Sequence, residues 1–229
     1  MPVISSAARR VKGARPLRAD AQLNRDRILA AAAELFAERG LSVPLEEIAD
    51  RAGVGVATLY RRFPTRADLA AAAFERSITR YTEAVDRALA NPRPWEGFRA
   101  LVFDLCELQA NDAGMRDLLT TAFPTSSAIE DRTDEAVEKV KVLITLAQAQ
   151  GSLRPDVVVA DLVVLLLANA GVLKATGNAA PDAWRRFAAL MVDGFRAQPD
   201  AQPDAPLPPA PHEQQLRRSI ALLTGERYP

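Results

Sequence analysis

With one cysteine and one histidine in 229 residues, the chain has few means of cross-linking itself or holding a metal. Cys106 alone excludes an internal disulfide and any cysteine-based zinc site, and it suits a reducing compartment. His212 lies in a proline-rich stretch without a histidine companion, so it is not a candidate ligand. The sequence has no phosphate-cradling glycine loop, no clustered His/Cys set and no G-x-S-x-G elbow. Catalysis therefore has no motif to rest on, and no cofactor is expected. Glu130, Asp131, Asp134 and Glu135 read as a solvated helix face rather than as an acid/base pair.

Long apolar runs are lacking too. The opening MPVISSAARRVKGARP has no apolar core of signal-peptide length. The most apolar stretch, VVVADLVVLLLANAGVL (157–173), is shorter than a membrane span and contains Asp161 and Asn169, so a buried helix is expected, with no membrane partner and a cytoplasmic location. Glycine is scarce, at 11 residues, and no β-branched alternation reads as a strand. Alanine, leucine, arginine and glutamate run throughout and favour helix. The expected fold class is all-α, and a chain that is 48% hydrophobic can bury a substantial core.

Net charge is zero, but it is unevenly placed. Residues 1–66 carry 12 Lys/Arg against 7 Asp/Glu, and the remainder carries 17 against 22. A basic end joined to an acidic body is the distribution expected when only one part of a chain meets phosphate.

Residues 1–21, with Arg9, Arg10, Lys12, Arg15 and Arg18, read as a flexible basic arm. From Asn24, the spacing of Ile28, Leu29, Ala32, Leu35 and Phe36 predicts a helix that stops at Gly40. A second helix is expected from Pro44 to Arg51, a tight turn at Ala52-Gly53-Val54-Gly55, and a third helix from Val56 to Arg62, cut off before Pro64. Residues 22–66 thus form a helix-turn-helix head. Its small core takes Leu35, Ile48, Ala49, Leu59 and Phe63. Longer helices are expected at 66–90, 94–110, 113–123, 127–150, 156–175 and 181–197. A proline-rich linker follows at 198–211, and a terminal helix at 212–229 carries Leu216, Ile220 and Leu223.

The ordered set RILAAAAELFAERG, IADRAGV, TLYRRF and FPTRADL, over about residues 24–74, resembles the DNA-binding domain of the tetracycline-repressor (TetR) family of bacterial transcription regulators. In such a head the third helix reads a major groove, while neighbouring groups grip phosphates. Thr58 can reach a phosphate or a thymine methyl. Tyr60 can lie along the sugar-phosphate, and Arg61 and Arg62 can take a phosphate or a guanine edge. Arg66, where the family commonly has lysine, is a candidate phosphate clamp.

Several positions depart from the family pattern. Gly55 replaces a common serine, Val56 replaces a polar or basic residue, and Val43 and Pro44 replace threonines. Val56 and Ala57 can then read the groove by apolar contact, and Arg15 and Arg18 of the arm can supply anchoring from the minor groove.

The resemblance further implies that 67–197 is a helical ligand-binding and dimerisation domain. The whole would be a ligand-responsive repressor binding a palindromic operator in double-stranded DNA as a homodimer through helices 156–175 and 181–197. Ala168, Ala170 and Gly171 allow close helix approach there, and Asn169 either fixes register or points to a cavity. A small apolar ligand would sit between helices 94–150, among Trp95, Phe98, Val102, Phe103, Cys106, Phe123 and Leu143. The competing reading is a helical protein-binding module without specific DNA recognition. A steep salt dependence of DNA binding separates the two.

Overall fold

The computed structural model describes residues 14–120, 127–197, 208–212 and 215–216. Most of the expected terminal helix at 212–229, most of the linker at 198–211 and the first part of the arm lie outside those residues, as does Phe123. Among the described residues every named element is a helix, and Leu153 and Arg196 form an isolated bridge.

The head consists of α1 (Ala14–Arg39), α2 (Leu45–Ala52) and α3 (Val56–Arg62). Helix α1 starts well before Asn24, so the last part of the expected arm, including the backbone of Arg15 and Arg18, is helical rather than irregular. Nothing in residues 14–24 breaks a helix once a nucleus exists downstream, because Pro16 sits near the start, where its missing N–H costs no bond. Ile28, Ala32, Leu35 and Phe36 point inward from α1 to meet Leu45, Ile48 and Ala49 of α2 and Leu59 of α3. Pro44 lies just outside α2, in the capping position, and not within its first turn.

Helix α2 ends at Gly53, whose φ of 66° and ψ of 36° require the left-handed region that glycine tolerates. The Gly53 N–H donates to the Asp50 carbonyl at 3.1 Å and the Val54 N–H to the Ala49 carbonyl at 3.0 Å. These bonds satisfy the helix end and turn the chain into α3.

The single long helix expected at 66–90 is two helices, α4 (Arg66–Ala73) and α5 (Glu75–Leu89), broken at Phe74. No proline or glycine signals the break. Phe74 is buried, with its ring 5.6 Å from that of Phe36, and the backbone yields there to seat it. Thr65 and Asp68 close a reciprocal capping box at the start of α4.

The body adds α6 (Pro94–Asn111), α7 (Ala113–Thr120), α8 (Ser127–Ala149), α9 (Val159–Thr176) and α10 (Ala183–Phe195). Helix α5 packs on α6 and α8, and α9 packs on α10, α6 and α7. Helix α7 reaches across to α1, so head and body share one continuous core. The last two helices are shorter than expected. The Val158 N–H bonds the Asp161 carboxylate at 2.8 Å, which starts α9 after Pro155 rather than beside it, and Arg196 turns extended at the end of α10.

Candidate nucleic-acid interface and regulatory body

Leu59 and Phe63 are buried under α3, and this fixes which way the rest of the helix faces. Ala57, Tyr60, Arg61 and Arg62 are exposed, while Val56 and Thr58 are half-buried at the base. Tyr60 is 45% exposed, unusual for a ring that could cover apolar surface, and it is the head's outward aromatic.

The head's arginines divide into two groups. Arg39 pairs with Glu47, and Arg51 pairs with Glu34 at 2.7 Å. Arg61 and Arg62 have no ion-pair partner among the described residues. Unpaired guanidiniums beside an exposed tyrosine, on the face of a short helix, are the arrangement that phosphate and base edges can use.

Arg66, expected as a phosphate clamp, has acceptors within the head. Its Nη1 donates to the Leu41 carbonyl at 2.9 Å and to the Val43 carbonyl, so the guanidinium clasps the α1–α2 loop to the start of α4. Sequence alone could not find this, because the loop carbonyls lie more than 20 residues away. Gly55 caps α3 with extended backbone and no side-chain bond, which is the consequence expected of glycine at that position.

The ligand-lining expectation meets a closed core. Phe98, Val102, Cys106 and Leu143 have no solvent exposure, because α6 is packed against α5, α8, α9 and α10, with the Phe98 ring 5.9 Å from that of Phe195. Burial pushes the Cys106 thiol up to about 12, so it stays protonated and inert at neutral pH. Of the expected residues, Trp95 and Phe103 line an open cleft, and that cleft lies between α6 and α10.

Asn169 points inward. Its Nδ2 donates to Gln109 Oε1 at 2.8 Å, and Gln109 Nε2 donates to the Leu166 carbonyl at 3.3 Å, tying α9 to α6 within one protomer. Asn169 Oδ1 is buried without a partner among the described residues. This pair sets intramolecular register, not the register of a dimer.

The opposite side of α9 is apolar and uncovered. Val164 is 43% exposed, and the exposed Ala168, Gly171 and Ala175 follow it along the same stripe. By length and composition α9 could cross a membrane, yet it is built into the bundle through Leu162, Leu165, Leu166 and Asn169. A helix that is apolar on all sides needs a second cover for its outer face.

This fold and head define a helix-turn-helix protein with a helical C-terminal body. The chain belongs to the TetR family of bacterial regulatory proteins: residues 28–73 match "Bacterial regulatory proteins, tetR family" and residues 93–197 match "Transcriptional regulator SbtR-like, C-terminal domain". A TetR transcriptional regulator of known structure from Streptomyces coelicolor is 33% identical, with 76% of this chain and 99% of that one covered and a TM-score of 0.48. A TetR transcriptional regulator from Chloroflexus aurantiacus shares the fold, with a TM-score of 0.53 at 22% identity over 79% of this chain and all of that one. The HTH-type transcriptional repressor KstR of Mycobacterium tuberculosis is 30% identical over 135 residues, which span 58% of this chain and 61% of the repressor.

Proposed function

We propose that the chain is a ligand-responsive transcriptional repressor in the cytoplasm that binds a palindromic operator as a homodimer. The observation that carries the reading is the set Tyr60, Arg61 and Arg62, turned outward by the buried Leu59 and Phe63, with neither arginine in an ion pair among the described residues. Ala57 and the edges of Val56 and Thr58 would meet base edges, and Arg15 and Arg18 would add phosphate contacts from the first turns of α1. Repression is supported by the name of the KstR relative.

Dimerisation is supported by the uncovered apolar stripe of α9 and the adjoining α10. Two copies of that stripe, related by a two-fold axis, would bury each other and set the two α3 helices against successive major grooves. The small residues Ala168 and Gly171 would let the helices approach closely.

The route from body to head is supported by α7. Its Gly114 lies against Phe74 and Phe36, and its Asp117 holds the end of α1, so a ligand that shifts α7 would tilt the head. The unpartnered Asn169 Oδ1 favours an interior ligand that is mostly apolar but carries one hydrogen-bond donor. Such a ligand has to open the core around Val102, Cys106 and Leu143, and its free energy for that state would be subtracted from DNA affinity.

The test is a titration of the chain's own upstream intergenic DNA at several salt concentrations. Saturation at two protomers per site, with affinity falling steeply as salt rises, is the expected result. Salt-insensitive or absent binding, with retained capture of a protein partner, would instead establish the protein-binding module.

A further inference from the structure

Helices α6 and α10 do not close against each other along their full length. They leave a cleft of about 440 Å³, a size within the roughly 300–1,000 Å³ of small-molecule sites. Three arginines line it, Arg99, Arg186 and Arg196.

Elsewhere along this part of the fold arginines find carboxylates. Arg185 bonds Glu107 at 3.0 Å and Asp182 at 3.3 Å, and Arg154 bonds Asp156 at 2.7 Å. Among the described residues, none of the three cleft arginines has a carboxylate within ion-pair distance. Two rest over aromatic rings instead, Arg99 at 5.4 Å from the Phe103 centroid and Arg196 at 5.8 Å from that of Trp95. A guanidinium resting against a ring has part of its freedom already removed, so less entropy is lost when an anion arrives.

Glu96 and Asp193 line the same cleft, so the charge balance is three cations against two anions. That excess of one favours a single negative charge and opposes a polyphosphate. The remaining surface is Trp95, Phe103, Ala189 and the exposed Leu190, which suit a flat apolar body.

We infer that the α6/α10 cleft is a binding site for a small monocarboxylate with an aromatic or similarly flat apolar body. This site is separate from the interior around Cys106 and does not depend on the DNA-binding reading.

Isothermal titration of the full-length chain with sodium 1-naphthoate tests it. Neutral 1-naphthalenemethanol and coenzyme A serve as comparison probes, and Arg185→Gln is the control for an arginine that already has partners outside the cleft. Saturable naphthoate binding is expected, weakened roughly tenfold or more in the Arg99→Gln, Arg196→Gln double variant and unchanged in the control. The neutral probe should bind about tenfold more weakly than the anion. Arg186→Gln gives a second, independent variant on an exposed position should the double variant lose its helical circular dichroism. No saturable heat at millimolar naphthoate, equal binding of the neutral probe, tighter binding of coenzyme A, or undiminished affinity in the folded variants would each overturn the assignment. Operator titration of the same samples reads DNA binding separately, so loss of one property is distinguishable from loss of the other.

Discussion

The Leu41 backbone N–H donates to the Asp117 carboxylate at 2.8 Å, joining the end of the first helix of the head to α7 of the body across 76 residues of sequence. Gly40, just before it, has a φ of 79°, and a Cβ added there would collide with Asp117 Oδ2. The glycine therefore serves two purposes, ending α1 and admitting the carboxylate. The bond is a direct polar link between the helix-turn-helix head and the body.

Gly40→Ala should therefore destabilise the fold by about 1–3 kcal/mol, from the disfavoured backbone and the displaced carboxylate together. Asp117→Ala should cost about 1 kcal/mol by leaving the Leu41 N–H without its acceptor. Urea unfolding of both variants measures this. An Asp117→Ala variant as stable as wild type would show that the bond carries no weight.

Tyr60→Ala and Arg61→Ala should weaken operator binding without touching the core. For each phosphate that an arginine no longer neutralises, the slope of log affinity against log salt should flatten by about 0.9, while stability stays within about 0.5 kcal/mol of wild type. Fluorescence anisotropy over a salt series gives both affinity and slope. Binding undiminished by the changes would place the reading surface elsewhere.

Gly55→Ser should restore the missing side-chain cap of α3. The space around Gly55 is open and its backbone is already extended, so the hydroxyl can accept from the following turn. The gain should be a few tenths of a kcal/mol, ~0.3 to 0.5, read as a small rise in the urea midpoint.

Gly171→Arg should produce a folded monomer. Nothing lies within 4 Å of a Cβ at that position, so the protomer tolerates the side chain, but a guanidinium in the centre of the apolar α9 stripe cannot be matched by its symmetry mate. Sedimentation velocity should show a monomer with an unchanged helical spectrum and much weakened operator binding. A variant that remains dimeric would move the interface off α9.

Cys106 should be silent to thiol reagents in the folded protein at pH 8 and react fully in denaturant. Burial raises its pKa from an ordinary 9.0 to about 12. The unfolded chain then releases this proton from about pH 9 upward while the folded chain keeps it, so stability should decline as pH rises from 9 towards 12. Tyr81, also raised to about 12 by burial, adds to the same decline above its ordinary 10.0. Urea midpoints between about pH 8 and 11 measure the slope.

The sequence by itself determined what depends on neighbours in the chain. The spacing of Ile48, Ala49, Leu59 and Phe63 dictated which faces of α2 and α3 turn inward, and with them the outward placement of Tyr60, Arg61 and Arg62. Gly53 and Gly151, both at positive φ, marked a turn and a helix end through their lack of a Cβ. The boundaries of α3 and the near-complete helical composition followed from the same local rules.

Only the tertiary structure decided what depends on partners far along the chain. Phe74 breaks the connecting helix because its ring packs on Phe36, and no local breaker announces it. Arg66 clasps the α1–α2 loop because two loop carbonyls come within reach. Asn169 finds Gln109 rather than a second protomer. The expected pocket residues Phe98, Val102, Cys106 and Leu143 close on one another, since periodicity identifies an apolar face but not whether that face meets a cavity or another helix. The three cleft arginines, Arg99 on α6, Arg186 in the first turn of α10 and Arg196 just past its end, become a set only when those helices lie side by side.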